Sequence, residues 1–266
     1  NRGVVMARQF IYDSVGFSEA TLQAGSYSES SGNYSFTANS GLISNIDRLS
    51  DQNISVILGI GWVRYEVVQI DLGSVQSPDT IATYHVGTAE NNVLNIYASN
   101  SNNSWVTGDF VVATGSTLPA DEWSVFSLPQ NITNKRYIYI YNATDDNYMN
   151  VSEILIGSKY TFDVNPELNS KIGEEFGTDV VTSYGGNEYA NKRHAPKTTW
   201  DFTFSHILST QKTALEALNA NIQDWKKFIY YDETNYHYVR LASPIEFTEV
   251  APNVFSANVS LREQLA

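Results

Sequence analysis

Short runs of alternating apolar and polar residues dominate the first half of the chain. Residues 67–72 alternate in this way and end at Gly73, and residues 150–156 repeat the pattern and end at Gly157. Alternation with a period of two is typical of strands that bury one face. Further runs of this kind lie between them, separated by clusters of Gly, Asn, Ser, Asp and Pro; they are residues 80–86, 92–98 and 136–141. The pattern predicts an all-β unit.

Residues 1–40 are rich in Ser, Gly, Asn and Tyr, and only two short runs in them have strand character, residues 9–12 and 34–37. We interpret the rest of this segment as surface loops that lead into the long strands. The first predicted domain comprises residues 1–158 and is expected to be a sandwich of two sheets.

The pattern changes in the second half of the chain. Strands are predicted near residues 159–164 and 178–184, and Gly185 and Gly186 mark a turn or arm that follows them. The segment 198–205 then alternates aromatic and polar side chains, which predicts a half-buried strand.

One helix is predicted in the second half. Four apolar residues follow one another at spacings of three and four, which places them on one helical face; they are Leu215, Leu218, Ile222 and Trp225. Ser209 is a suitable N-cap, so the predicted helix runs from about residue 209 to 227. Four strands follow at 228–231, 236–241, 245–250 and 254–261. Residues 159–266 are therefore predicted to form a β-sandwich with one flanking helix.

Two strand motifs resemble those of the galactose-binding-like jelly roll, the discoidin or coagulation-factor C-type domain. In that family a strand ending in Asp-Leu-Gly is followed much later by a Ser-Glu-Ile strand ending in Gly; here these motifs begin at Asp71 and Ser152. The resemblance implies that the first domain is a jelly roll. Some jelly rolls hold a calcium ion between an early loop and the closing strand, and here Asp47, Asp51 and Glu153 would supply its oxygen ligands.

The order of motifs from residue 156 onward resembles a family of tailed-bacteriophage tail-tip proteins. Residues 156–162 read Ile-Gly-Ser-Lys-Tyr-Thr-Phe, Gly185 and Gly186 mark the arm, an aromatic strand follows, and the last strand closes on Leu-Arg-Glu. Such relatives have tail-tube or distal-tail folds that close into rings, commonly hexameric, around the channel that DNA traverses. The resemblance implies a ring-forming second domain in which the two glycines lie in the contacts between copies.

The composition fits folded, sheet-rich domains, since 42% of the 266 residues are hydrophobic and 13% are aromatic. The formal charge of −13 repels phosphate, so sequence-specific binding of nucleic acid is not expected. No run approaches the ~20 apolar residues of a membrane span, which predicts a soluble protein. The chain contains no cysteine, and this suits a protein assembled in a host cytoplasm.

No motif in the chain indicates an enzyme. The four histidines are scattered without metal-ligand spacing, and the nucleophile-elbow, P-loop and dinucleotide motifs are absent. Catalytic residues, a metal and a cofactor are therefore not expected, apart from the calcium ion that the jelly-roll resemblance allows.

Three tryptophans are candidates for stacking on sugar rings; they are Trp62, Trp105 and Trp123. Trp105 follows the polar run Asn-Ser-Asn-Asn-Ser, which predicts an exposed loop position. The other interpretation is that a loop tryptophan anchors the loop onto its own domain or onto a neighbouring subunit.

The predicted function is that of a virion structural protein, a tail-tip or distal-tail ring subunit that connects the tail tube to the host-recognition apparatus. Its expected partners are further copies of itself and other tail proteins. The main alternative is a carbohydrate-binding or host-adhesion module that uses Trp105 to recognise a host surface glycan. A bacterial cell-surface adhesin is a third interpretation.

Overall fold

The computed structural model describes residues 8–16, 21–39, 60–62, 66–85, 94–106, 110–113, 121–128, 134–142, 149–163, 166–167, 170–223 and 225–264. These residues contain eighteen strands and one helix. The prediction of a mainly β chain with one helix is confirmed.

The chain divides into two compact units. The first unit comprises Ile11–Lys159, and the second unit comprises Asn1–Phe10 together with Tyr160–Leu265. The sequence placed the first ten residues with the first domain instead. The packing of Phe10 gives the physical reason: its buried ring lies 4.8 Å from that of Phe162 and 5.2 Å from that of Phe228, both in the second unit.

The first twelve strands are, in chain order, β1 (Gln9–Tyr12), β2 (Thr21–Ser30), β3 (Asn33–Ala38), β4 (Ile60–Trp62), β5 (Glu66–Gln76), β6 (Thr80–His85), β7 (Leu94–Ser99), β8 (Ser104–Val106), β9 (Phe110–Ala113), β10 (Trp123–Ser127), β11 (Lys135–Asn142) and β12 (Met149–Thr161). The two alternating segments that the sequence singled out lie in β5 and β12.

Antiparallel strand pairs build two sheets in the first unit. One sheet has seven strands in the order β8-β3-β2-β5-β11-β7-β9. In the other, β6 pairs with β10 and with β12, and β12 also pairs with β4. The apolar faces of the two sheets enclose one core, whose buried residues are Val15, Ala24, Val68, Ile70, Leu72, Ile81, Ile96, Ala98, Leu128, Ile138, Ile140, Val151, Ile154 and Ile156. The alternating residues Val68, Ile70 and Leu72 of β5 lie in this core, and Val67 and Gln69 on the other face are buried as well.

The second unit contains β13 (Lys171–Thr182), β14 (Glu188–Leu208), α1 (Ser209–Ile222), β15 (Phe228–Tyr231), β16 (Tyr236–Leu241), β17 (Glu246–Ala251) and β18 (Val254–Glu263). Its strands pair in the order β15-β16-β18-β14-β13, and β17 pairs with β18. Trp200 on β14 lies against Tyr230 on β15, with ring centroids 5.6 Å apart, although two strands separate them in the sheet. The sheet is therefore strongly curled around an aromatic interior.

The helix buries the predicted apolar face. Three of the four predicted residues are fully or almost fully buried; they are Leu215, Leu218 and Ile222. Leu208, rather than Ser209, occupies the N-cap position. Its backbone N–H donates to Gln211 Oε1 at 2.9 Å, so the side chain of Gln211 satisfies a donor that the helix leaves free.

The helix ends earlier than the predicted residue 227. Gln223 has a φ of 49°, and its N–H donates to the Asn219 carbonyl at 2.9 Å. This left-handed residue stops the helix after Ile222. Trp225 consequently lies outside the helix and is 58% exposed, so its placement on the apolar face was wrong.

Candidate functional site

An aromatic cluster covers the outer face of the seven-stranded sheet. On β11, Ile138 and Ile140 point into the core, so Tyr137, Tyr139 and Tyr141 point outward. The buried members of the cluster are Tyr34, Phe36, Val67, Tyr97, Trp105, Tyr139 and Tyr141. The cluster is thus a second packed layer of the first unit.

Trp105 lies at the centre of this cluster and is 1% exposed. Its ring stacks on Tyr139 at a centroid distance of 4.3 Å and on Tyr34 at 5.2 Å. The prediction that Trp105 is exposed was therefore wrong, because aromatic side chains of the same unit pack around its ring. This packing agrees with the other interpretation, in which the tryptophan anchors its loop.

Hydrogen bonds fix the loop that leads into β8. The Tyr139 hydroxyl donates to the Ser101 carbonyl at 2.6 Å, and the Gln69 side-chain amide donates to Tyr139 Oη at 2.9 Å. Burial raises the pKa of Tyr139 to about 12, so the phenol keeps its proton and remains a donor at neutral pH. A sugar ring cannot reach Trp105 without opening this loop.

Of the other two candidate tryptophans, Trp123 lies in a different sheet from Trp105. Trp123 begins β10 and is buried against Tyr84, with ring centroids 5.4 Å apart in an edge-to-face arrangement. Trp62 ends β4 and pairs with Met149 of β12, and its side chain lies outside the described part of the structure.

The predicted calcium ligands lie partly outside the described residues. Asp47 and Asp51 belong to a segment that the structure does not describe. Glu153 is on β12 and is buried. Within the described ranges, no group of three or more His, Asp and Glu side chains is arranged to hold a metal ion.

The one helix among the described residues does not have the length and apolar character of a membrane-spanning helix.

His85 is the buried histidine of the first unit. Its side chain is 6% exposed, and Nε2 has no hydrogen-bond partner among the described residues. Burial disfavours the charged imidazolium and lowers the pKa of His85 to about 4. The residue is therefore neutral at physiological pH and belongs to the packed interior.

The most exposed feature of the second unit is the hairpin of β13 and β14, which we call the arm (residues 171–199). β13 has twelve residues, none of them buried, and a strand of this length extends roughly 40 Å. Gly185 and Gly186 lie in the turn that joins the strands, and Gly186 has a φ of 79°, which favours glycine. Whether these glycines contact another copy remains a prediction.

Large apolar side chains are exposed along the arm. Six of them are more than half exposed; they are Ile172, Phe176, Val180, Val181, Tyr184 and Tyr189. Val180 and Val181 are adjacent in β13 and so point to opposite faces, which means that the arm is apolar on both sides. β13 is also the last strand of its sheet, and its outer edge pairs with no strand in the described part of the chain. Sequence reasoning missed the exposure of these residues, because an apolar side chain in a predicted strand is ordinarily expected to be buried.

Ion pairs stabilise the arm along its length. Arg193 pairs with Asp179 within the hairpin, and Arg262 of β18 pairs with Glu175 near its base. The arm contains four basic and four acidic residues, so it is formally neutral although the whole chain carries −13.

A cavity of about 340 Å³ opens in the second unit beside the base of the arm. Its lining combines aromatic, charged and small polar residues; they are Arg8, Pro166, Glu167, Ser170, Ile172, Trp200, Phe202, Tyr230 and Asp232. No pattern in the sequence indicates this cavity, because its residues come from four separated segments.

No family model and no curated protein matches the chain. Solved structures do. A family 89 glycoside hydrolase from Clostridium perfringens is 16% identical over 58% of this chain, with a TM-score of 0.35, and the match spans 16% of its own length. Chitosan-binding module 2 of a chitosanase/glucanase from Paenibacillus sp. IK-5 is 19% identical over 52% of this chain and 95% of that one, with a TM-score of 0.35.

Discoidin II of Dictyostelium discoideum is 11% identical over 95% of this chain and 92% of that one, with a TM-score of 0.34. The structural similarity is thus to carbohydrate-binding and discoidin proteins, and none of the three structures is described as a phage tail protein. TM-scores of this size do not establish a common fold or a common ligand.

Proposed function

We propose that this chain is a non-enzymatic structural protein whose copies assemble through the arm. The observation that supports this proposal is the exposure of six large apolar side chains on a hairpin in which no residue is buried. Large apolar side chains that are exposed together on one element are typical of protein interaction sites. The free edge of β13 adds a row of unpaired backbone groups that a strand of another chain can extend.

A second copy of the chain is the partner that we propose, and the neutral charge of the arm permits it. Two copies that each carry a formal charge of −13 repel one another. Because the arm has no net formal charge, contact through the arm adds nothing to that repulsion. The apolar side chains of the arm then supply the association energy through their burial.

In its finer form, the proposal is that the assembly is a ring, hexameric as in the phage tail-tip proteins that the sequence resembles. The chain would then be a tail-tip or distal-tail subunit of a virion, assembled in the host cytoplasm and joining the tail tube to the host-recognition apparatus. Its other partners would be neighbouring tail proteins, and it would not read a nucleic-acid sequence.

The absence of cysteine permits a direct test. Tyr184→Cys places the only thiol at the tip of the arm, and Ser243→Cys places it at an exposed position outside the arm. Each variant is labelled with a photoreactive maleimide and irradiated. We expect a ladder of covalent oligomers from Tyr184→Cys and mainly monomer from Ser243→Cys. Equal yields from the two variants, or no oligomers from either, would refute assembly through the arm.

Carbohydrate binding is the second candidate function. Two of the three tryptophans predicted to stack on a sugar, Trp105 and Trp123, are buried, and the side chain of Trp62 lies outside the described residues. One observation nevertheless favours it, the cavity beside Arg8, whose lining includes the polar side chains of Glu167, Ser170 and Asp232.

A further inference from the structure

The charges of the arm are divided between its two strands. β13 carries one basic and three acidic residues; they are Lys171, Glu174, Glu175 and Asp179. The β14 part of the arm, residues 188–199, carries one acidic and three basic residues; they are Glu188, Lys192, Arg193 and Lys197. The formal charges of the two strands are therefore −2 and +2, although the arm as a whole is neutral.

Within one copy, this division places opposite charges on neighbouring strands. Glu175 and Lys197 lie directly opposite one another in the ladder, and Asp179 forms an ion pair with Arg193. Opposite charges on adjacent strands stabilise a sheet, and like charges directly opposite one another destabilise it. The same rule applies to any strand that is added at the edge of the arm.

Each strand of the arm has an outer edge. The outer edge of β13 pairs with no strand in the described part of the chain. β14 begins to pair with β18 only at Thr199, so residues 188–198 also lack a partner strand on that side among the described residues. Pro196 has no backbone N–H and interrupts the row of donors, but residues 188–195 are not affected. The arm thus has one acidic edge and one basic edge.

The charges determine which edges are complementary. Contact between two β13 edges brings −2 against −2, and contact between two β14 edges brings +2 against +2. Both contacts place like charges on adjacent strands. Basic side chains and proline on an edge also discourage it from pairing with the same edge of another copy. Only the contact between a β13 edge and a β14 edge joins opposite charges.

We propose that the β13 edge of one copy pairs with the β14 edge of the next copy. This inference rests on the proposed assembly through the arm and gives that assembly a direction. A contact between two different edges is heterologous, and it leaves one acidic and one basic edge for further copies. Its repetition forms a ring where the rotation closes, whereas a contact between identical edges stops at a dimer.

Reversal of the charge on one edge at a time tests this pairing. Glu174→Lys/Thr182→Lys changes the formal charge of β13 from −2 to +1. Ala190→Glu/Lys192→Glu changes the formal charge of residues 188–199 from +2 to −1. All four positions are exposed, and neither variant replaces a member of the ion pairs that Asp179 and Glu175 form. Assembly of the full chain is measured by sedimentation velocity, and folding by circular dichroism.

Each variant alone should dissociate roughly tenfold more readily than the wild type, because like charges then meet across the contact. An equimolar mixture of the two variants should regain most of the lost assembly, because the altered β13 edge of one meets the altered β14 edge of the other. The chain that carries all four changes is the matched control. Its two edges again have opposite charges, so it should assemble better than either variant alone.

Three results would overturn this inference and leave assembly through the arm intact. They are variants that assemble as well as the wild type, a mixture that assembles no better than its components, and tighter assembly of Glu174→Lys/Thr182→Lys, which is expected if two β13 edges meet. A wild type that stays monomeric at every concentration would instead refute assembly through the arm, and this inference with it.

Discussion

Trp105 of β8 stacks on Tyr139 of β11 with ring centroids 4.3 Å apart, although β3, β2 and β5 lie between those strands in the sheet. The seven-stranded sheet must therefore curl so that its outer face, the one turned away from the core, becomes concave and the β8 edge reaches β11. The aromatic cluster fills this concave side. Trp105 serves the first unit as a packing residue.

The cost of removing Trp105 follows from this position. Trp105→Ala leaves a large cavity in the cluster and should lower the free energy of unfolding by about 3–5 kcal/mol. Trp105→Phe should cost less, because Nε1 makes no hydrogen bond to the described residues and its loss leaves no partner unsatisfied. Chemical denaturation followed by circular dichroism measures both changes.

Trp225 provides the matched control, since it is 58% exposed. Trp225→Ala should change stability by no more than about 0.5 kcal/mol. If Trp105→Ala is as mild as this control, Trp105 does not lie in a packed cluster.

His85 should make the first unit sensitive to acid. Its folded-state pKa of about 4 lies below its ordinary value of 6.5, so the unfolded chain takes up the proton first as the pH falls. The stability that the neutral imidazole contributes is complete above pH 6.5 and is lost progressively between pH 6.5 and 4, by about 3 kcal/mol at the lower end. Denaturation curves across this range measure the loss.

His85→Gln removes the titrating group and should flatten the pH dependence in that window, whatever it does to the absolute stability. His206→Gln changes an exposed histidine and should keep the wild-type slope. An unchanged slope in His85→Gln would show that another group causes the acid sensitivity.

Gly157 is required by a close backbone approach within the first unit. A Cβ atom at this position would lie 1.9 Å from the Tyr12 carbonyl oxygen and 2.9 Å from the Ser14 nitrogen. Gly157→Ala should therefore destabilise the first unit by about 2–3 kcal/mol or more, because backbone atoms must shift. Thermal unfolding measures this effect.

Gly185→Ala is the comparison for this change, because the atom nearest to a new Cβ there is Ser183 Oγ at 4.0 Å. We expect it to unfold within a few degrees of the wild type. Similar melting temperatures for the two variants would contradict the close approach at Gly157.

Strands with regular alternation could be predicted from the sequence, and β2 shows where that signal fails. β2 has the sequence TLQAGSYSES and reads as a surface loop, yet it lies between β3 and β5 in the sheet. A Cβ at Gly25 would lie 2.3 Å from the Phe36 ring, so the ring of the neighbouring strand fills the place of a side chain. The apolar group at this position of the sheet therefore belongs to β3, so the alternating pattern is missing from the sequence of β2 itself.

The candidate sites were harder to predict for a related reason. Trp105 is surrounded by polar residues in the sequence, but tertiary contacts bury it. Phe176 and Val180 are apolar in the sequence, but both are more than half exposed. Local composition predicts burial correctly only where the folded chain places another apolar surface against the segment. The curl of the seven-stranded sheet and the exposure of the arm depend on distant parts of the chain, so a short segment does not reveal them.

The most direct test of the central claim is sedimentation velocity of the full chain over a range of concentrations, compared with Phe176→Ser/Val180→Ser. The account predicts that the wild type forms a discrete oligomer of the 29.7 kDa chain. Each lost apolar anchor of an interface costs on the order of 1–2 kcal/mol, so the double variant should dissociate at least tenfold more readily with an unchanged circular dichroism spectrum. Thr178→Ser on the same strand should sediment like the wild type. A wild type that stays monomeric at every concentration, or a double variant that assembles equally well, would contradict assembly through the arm.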